Sequence, residues 1–358
     1  MKKIEKERGS VFCGASVWDV LRETLERCKP SKVFVLVDEN TEIHCLPIFT
    51  KQMPTHFLFQ TITIPSGEIH KTISTCTTVW QQMSDLGADR NSVLINLGGG
   101  VVTDLGGFVA STFKRGIEFL NIPTSLLAMV DASIGGKNGV DLGHLKNQVG
   151  VIRNPMAVFV CIEFLKTVPK EQITSGYAEM LKHGLIASEA YWNALKDFDV
   201  RDAKLTEKFI WESIEIKNEV VTKDPTEKNL RKTLNYGHTL GHAIESYCLE
   251  NSDKKTLLHG EAIAIGMILA NYLSAQLKNF PQKKLEQTTK IFLSIYKRYD
   301  FSEHDIEQII QLLKFDKKNT DGNVNFVLLE DFNRYIIDQQ IDNELIRSAF
   351  NFYKNFKN

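Results

Sequence analysis

The chain has 358 residues, 43% of them hydrophobic, which is long and apolar enough for two domains with buried cores. Its 43 lysines and arginines against 44 aspartates and glutamates leave a formal charge of −1, so no global field favours nucleic acid or an anionic membrane and any anion affinity is local. The six cysteines form no C-x-x-C pair, the start MKKIEKERGSVF is charged, and no apolar run has the length of a membrane span, so the expectation is a soluble cytoplasmic protein with reduced thiols.

In chain order, the β-branched runs 32–37 and 92–97, followed by Asp38 and Gly98, read as buried strands of a mostly parallel sheet. Between them, residues 72–87 (TISTCTTVWQQMSDLG) carry apolar side chains at helical spacing and stop at Gly87, a C-terminal cap. From about residue 165 the texture changes to long amphipathic stretches such as 203–222 and 283–298, with few strand signals. The expected fold class is α/β + α, with an α/β domain over residues 1–162 and an all-helical domain over 163–358. The cleft between the halves is the expected place for a site.

Six segments carry chemistry. Pro65–Thr72 spaces Glu68 and Lys71 three apart, which in isolation reads as a helix start with a surface ion pair. SVLINLGGGVVTD places Gly98, Gly99 and Gly100 between a strand and a helix, where bare backbone N–H groups and the helix dipole suit a phosphate; the plain alternative is a tight turn. Asp104 either accepts from a ribose hydroxyl or sits in the first helical turn, where a carboxylate is favourable anyway. Asp131, Lys137, Lys146 and Asn147 lie in a glycine-rich, largely apolar stretch, where a charge is costly unless paired or engaged by a ligand.

The strongest local signal is NYGHTLGHAIE, with His238 and His242 one turn apart on a helix face, the spacing of a metal pair. His259 opens a further helical run, and Glu179 lies on another with Lys182 one turn later. Two or three of these histidines with the one carboxylate would make a zinc site that keeps a position open for substrate; the plain alternative is histidines satisfied within an apolar core. His44, His56, His144, His183 and His304 have no such company and read as structural.

Taken in order, GEIHK, GGGVVTD, KRGI, VDASIGGK with LKN, GYAEMLK, LRKTLNYGHTLGHAIE, HGEAIAIG and DKK closely resemble the 3-dehydroquinate synthase family of sugar-phosphate cyclases, over residues 30 to 330. The resemblance implies a Rossmann-like NAD-binding α/β domain, a helical metal- and substrate-binding domain, and a homodimer. It implies zinc (or cobalt) on Glu179, His238 and His259, and so splits the H-x-x-x-H pair, leaving His242 as a proton-handling residue with Glu227. Asp131, Lys137 and Lys182 are further implied catalytic residues. Implied nucleotide contacts are Asp38, Asn40, Glu68, Lys71, Gly99, Gly100, Asp104, Thr124, Ser125, Lys146 and the turn from Phe164 to Thr167. Implied substrate contacts are Asp131, Lys137, Asn147, Lys182, Lys217, Arg231, Asn235, His242, and one or both of Lys317 and Lys318, with Arg115 lent to the neighbouring subunit. Thr103, Ser125 and Asp141 depart from common family residues without removing an implied ligand or charge.

The same resemblance implies 3-deoxy-D-arabino-heptulosonate 7-phosphate as substrate. Transient oxidation at C5 by NAD acidifies the C6 proton, phosphate leaves, the hydride returns, the ring opens, and an aldol step closes 3-dehydroquinate. The rivals are cyclases making an inosose or a valiolone, a metal-dependent polyol dehydrogenase that releases NADH, and a catalytically silent binding module. The implied carboxylate contacts, all present, favour the dehydroquinate reaction over the first.

Overall fold

A computed structural model describes residues 1–143, 145–313 and 324–357, and the chain divides into two compact units. The first comprises Met1–Ile173 with Phe198–Asn218, the second Thr174–Asp197 with Glu219–Asn358. The division thus falls beyond the 162/163 boundary suggested by the change of texture. The reason is local packing: Phe164 meets Trp18 edge-on at 6.0 Å, and Lys217 pairs with Asp131 at 2.6 Å, which keeps both segments with the first unit.

The first unit is built on strands β1 (Lys2–Ile4), β2 (Ser10–Cys13), β3 (Val33–Asp38), β4 (Gln60–Ile64), β5 (Val93–Gly98), β6 (Glu118–Pro123), β7 (Lys137–Leu142), β8 (Leu145–Ile152) and β9 (Ala157–Val160). Seven of them form one sheet in the order β1-β2-β9-β6-β5-β3-β4, parallel except for the edge pair β1–β2, while β7 and β8 form a separate antiparallel hairpin. The central strands β3 and β5 are buried except at Asp38, as their unbroken apolar runs require. Helices α1 (Val17–Cys28), α2 (Glu39–His44), α3 (Leu46–Gln52), α4 (Ile73–Asp85) and α5 (Gly100–Thr112) connect them. Helix α4 starts where its cap permits, since Thr72 Oγ1 accepts from Thr75 N at 3.3 Å, and it ends before Gly87 at φ +73°. From β3 the chain runs to β4 on one side and, through β5 and β6, to the other. That makes the C-terminal ends of β3 and β5 a topological switch point, the usual ligand position in such sheets.

The remaining helices are α6 (Lys170–Ala187), α7 (Glu189–Ala194), α8 (Ala203–Lys223), α9 (His238–Glu250), α10 (His259–Lys278), α11 (Gln282–Ile295), α12 (Glu303–Leu312) and α13 (Asn343–Asn355). The second unit is mainly helical but also holds an antiparallel hairpin, β10 (Phe326–Asp331) with β11 (Arg334–Gln339), that the all-helical reading omits. Helix α10 is its axis, buried from Gly260 to Ala270 except at Glu261. Among the described residues no helix is long and apolar enough to cross a membrane.

One buried carboxylate ties two helices of this unit. Asp305 forms a reciprocal cap with Ser302 and accepts from Tyr247 Oη at 2.5 Å and Lys254 Nζ at 2.9 Å. Burial alone would push its pKa up, but these donors hold it at about 2. A depressed carboxyl contributes stability that is full above its ordinary value of about 4 and is lost as pH falls toward about 2. Asp305→Asn is therefore expected to cost about 2 kcal/mol at neutral pH and to flatten the acid limb between about pH 4 and 2 in denaturant titrations. An unchanged acid slope would remove Asp305 from this role.

Candidate active site

Three helices of the second unit bring the histidine cluster together. Their approach depends on two glycines in α10. A Cβ on Gly260 would lie 2.0 Å from the carbonyl oxygen of Ser175 in α6, and one on Gly266 would lie 2.0 Å from that of Gly237 at the start of α9. Gly260 N also donates to Ser175 Oγ at 2.9 Å, and Glu261 accepts from Leu258 N at 2.8 Å, fixing the turn that presents His259.

The result is a tight constellation. Glu179 Oε1 lies 3.4 Å from His238 Nε2 and 3.7 Å from His259 Nε2, while Lys182 Nζ forms an ion pair with Glu179 Oε2. Glu179 and Lys182 are fully buried, yet neither carboxylate oxygen of Glu179 accepts a hydrogen bond from a described residue. Burial alone would push the Glu179 carboxyl up, but the Lys182 ammonium and His259 beside it hold it well below the usual carboxylate range. Burial likewise disfavours a charged His259, yet the Glu245 and Glu179 carboxylates push its pKa up to about 10. The site is thus built for positive charge. Two ligands about 2.0–2.1 Å from one tetrahedral ion stand about 3.4 Å apart, so the Glu179–histidine separations, too long for hydrogen bonds, suit a shared cation. Donor atoms of His238, His242 and His259 also lie within 4.8 Å of one another, so proximity by itself leaves His242 open as a ligand.

Nearby in the same unit, Asn235 Nδ2 donates to Glu227 Oε1 at 2.8 Å. Glu227 stands at φ +60°, uncommon for a residue with a side chain. Its loop is organised by Asp224, whose carboxylate accepts from the backbone N–H of Lys228, Asn229 and Arg231 at 3.0, 2.7 and 3.0 Å. Arg231 is buried and donates from Nη1 to Pro225 O at 2.8 Å. Asp224 escapes a motif search; its signal is a short Asp–Pro turn before a run of expected site residues.

In the first unit several of the other expected residues lie at C-terminal strand ends. Asp38 ends β3 and caps α2, accepting from Asn40 N and Thr41 N at 2.9 and 2.8 Å. Gly99 and Gly100 join β5 to α5, Thr124 and Ser125 follow β6, and Phe164 and Thr167 lie on the turn after β9. Glu68 and Lys71 are not a surface pair. Lys71 is buried, donating to Asp104 Oδ2 and Asn147 Oδ1 at 2.6 Å each, while Lys146 meets Glu68 at 2.8 Å and Asp141 at 3.8 Å. Burial opposes charge on Lys71, but Asp104, Glu68 and Asp141 raise its pKa above the ordinary lysine range. Asn147, expected at the substrate, thus engages Lys71 here. Lys217 Nζ donates to both the carboxylate and the carbonyl of Asp131, at 2.6 and 2.5 Å. Lys137 opens β7, and Arg115 is exposed at φ +71° after α5. Lys317 and Lys318 lie outside the described residues.

A doubly-wound sheet with a glycine turn at its switch point, followed by a helical unit holding a buried carboxylate among histidines, defines a class of α/β-plus-helical proteins with a candidate cation site. Residues 61–175 match the family profile described as 3-dehydroquinate synthase N-terminal, and residues 176–319 the one described as 3-dehydroquinate synthase C-terminal. The chain belongs to the 3-dehydroquinate synthase family. It is 40% identical over 336 residues to the 3-dehydroquinate synthase of Parabacteroides distasonis, covering 93% of this chain and 94% of that one. Among solved structures, a 2-deoxy-scyllo-inosose synthase complexed with carbaglucose-6-phosphate, NAD+ and Co2+ superposes with a TM-score of 0.83 at 26% identity, over 97% of this chain and 98% of the other. A 2-epi-5-epi-valiolone synthase from Streptomyces hygroscopicus, with NAD+ and Zn2+ bound, shares the fold with a TM-score of 0.87 at 20% identity, over 100% and 99% of the chains.

Proposed function

We propose that the chain converts 3-deoxy-D-arabino-heptulosonate 7-phosphate to 3-dehydroquinate and phosphate, using NAD and a divalent cation, zinc or cobalt. The observation that carries the reading is Glu179 Oε1, buried without a hydrogen bond and 3.4 and 3.7 Å from two imidazole Nε2 atoms. When bound, NAD supplies reversible hydride acceptance at C5 and the cation supplies Lewis-acid polarisation of the hydroxyl there. Glu179, His238 and His259 are the proposed ligands. Of the residues implied for the nucleotide, Asp38, Gly99, Gly100, Thr124 and Ser125 lie at the C-terminal edge of the parallel sheet, with Gly99 and Gly100 offering backbone N–H groups to the pyrophosphate.

The chain's own chemistry is positioning and proton handling. His242, half-buried, with its ring 5.1 Å from that of His238, moves protons, aided by Glu227, whose carboxylate Asn235 orients. Lys137, Asn147, Lys182, Lys217 and Arg231 hold the substrate's carboxylate and phosphate. Pairing with Asp131 and Glu179 keeps Lys217 and Lys182 in place, and bound at both ends the reacting carbons are oriented for the closing aldol step. A homodimer, with Arg115 reaching the partner's phosphate site, belongs to the same reading, supported by the exposure of Arg115. Six free thiols fit a reducing cytoplasm.

The test is incubation of the purified, metal-loaded protein with the heptulosonate phosphate, measuring phosphate and 3-dehydroquinate together. Because the hydride returns to the substrate in each turnover, catalytic NAD is expected to support many equivalents of product. Stoichiometric NADH at 340 nm would instead identify a dehydrogenase.

A further inference from the structure

Glu245 has no part in the reading above. It lies on α9, seven residues after His238 and three after His242, and so shares their helix face. It is buried, and its Oε2 is 3.1 Å from Nδ1 of His259. We infer that Glu245 is the positioning residue that sets His259 as an Nε2 ligand and thereby tunes the affinity of this site for a divalent cation. The inference rests on Glu179, His238 and His259 being the ligands.

A neutral imidazole carries one N–H, and the protonated nitrogen cannot coordinate. An ionised carboxylate accepts and never donates, so beside Glu245 the proton belongs on Nδ1 and the lone pair on Nε2, the nitrogen 3.7 Å from Glu179 Oε1. His238 is arranged in parallel: its Nδ1 stands 3.1 Å from the carbonyl oxygen of Tyr236, and its Nε2 is 3.4 Å from the same Glu179 oxygen. Both rings are held in one tautomer, the first by a carboxylate and the second by a neutral carbonyl. The carboxylate contact adds what the carbonyl does not, a negative charge that raises the basicity of the coordinating nitrogen. A residue that served as an ion pair between α9 and α10 alone would change stability and leave cation affinity untouched.

Full-length wild type, Glu245→Gln and Glu245→Ala, stripped with EDTA, are titrated with Zn2+ against a competing chelator, alongside melting of the metal-free forms and the visible spectrum of the Co2+ forms. Glu245→Ala is expected to weaken Zn2+ binding about 10- to 100-fold and to alter the Co2+ bands. Glu245→Gln keeps an acceptor oxygen without the charge and is expected to recover part of that loss. Affinity of the alanine variant within about threefold of wild type overturns the inference, whatever happens to its melting temperature. If the alanine variant does not fold, the glutamine variant decides by the same threshold. His238→Ala separates the two levels. If wild type holds no stoichiometric metal, or His238→Ala keeps it, the ligand reading fails and takes the inference with it. If His238→Ala loses metal and the Glu245 variants bind normally, the inference alone is wrong.

Discussion

Replacing His238 with alanine is expected to leave the protein without stoichiometric zinc after dialysis, whereas His242→Ala is expected to keep its zinc and lose about 10²- to 10⁴-fold in kcat, the usual scale of a lost proton-transfer group. Spacing does not separate these two side chains. They are one turn apart, their rings are 5.1 Å from each other, and both have donor atoms within 4.8 Å of those of His259. The proposed ligand set makes the distinction: Glu179 Oε1 stands 3.4 and 3.7 Å from the Nε2 atoms of His238 and His259, and with them it would make three ligands drawn from three helices. A catalytic zinc takes three protein ligands and keeps its other positions for substrate, so a fourth from His242 would close the site. His238 also has its Nδ1 committed to a backbone carbonyl, the arrangement expected of a ligand. Metal analysis of the two purified variants, with kcat measured at saturating added zinc, decides the matter. Zinc lost from the His242 variant and retained by the His238 variant would restore the simple H-x-x-x-H pair.

How much of this was legible in the sequence depends on how local the signal is. The strand–glycine–helix junction at Gly98–Gly100 is written in consecutive residues, and it appears where expected, at the end of β5. The pair His238 and His242 follows from helical periodicity alone. Lys71 is the opposite case: its burial depends on Asp104, 33 residues on, and on Asn147, 76 residues on, so a reading of its own segment returns a surface ion pair. Glu245 was visible within the motif as a letter, but its task depends on His259 across a helix–helix contact, which spacing along α9 does not reveal. The hairpin β10–β11 was obscured because its register shifts twice, breaking the alternation that marks a strand pair.

Gly260→Ala is expected to be, with Gly266→Ala, among the most costly single methyl groups added to this site, since each new Cβ would lie 2.0 Å from a backbone carbonyl oxygen of a neighbouring segment. A helix interior usually gains from Gly→Ala, by up to about 1 kcal/mol, so propensity predicts the opposite sign. Sterics decide. The new Cβ would sit 2.0 Å from Ser175 O and 2.5 Å from its carbonyl carbon, and these are backbone atoms of α6 that cannot rotate away. Relief requires α10 to retreat from α6 by an ångström or so, a displacement that overpacking measurements place at about 1–3 kcal/mol or more. The same movement stretches the 2.9 Å bond from Gly260 N to Ser175 Oγ and carries His259, the adjacent residue, away from Glu179 on α6. Ligands must be held within a few tenths of an ångström, so cation affinity should fall together with stability. Gly100→Ala is the steric control: a methyl there would meet nothing nearer than Ala132 Cβ at 3.5 Å, an ordinary contact, and should leave melting and metal content unchanged. The measurement is the melting temperature and zinc content of both variants. If Gly260→Ala melts with the wild type and keeps its zinc, the close approach of α10 to α6 is not what holds Glu179 and His259 at ligand distance.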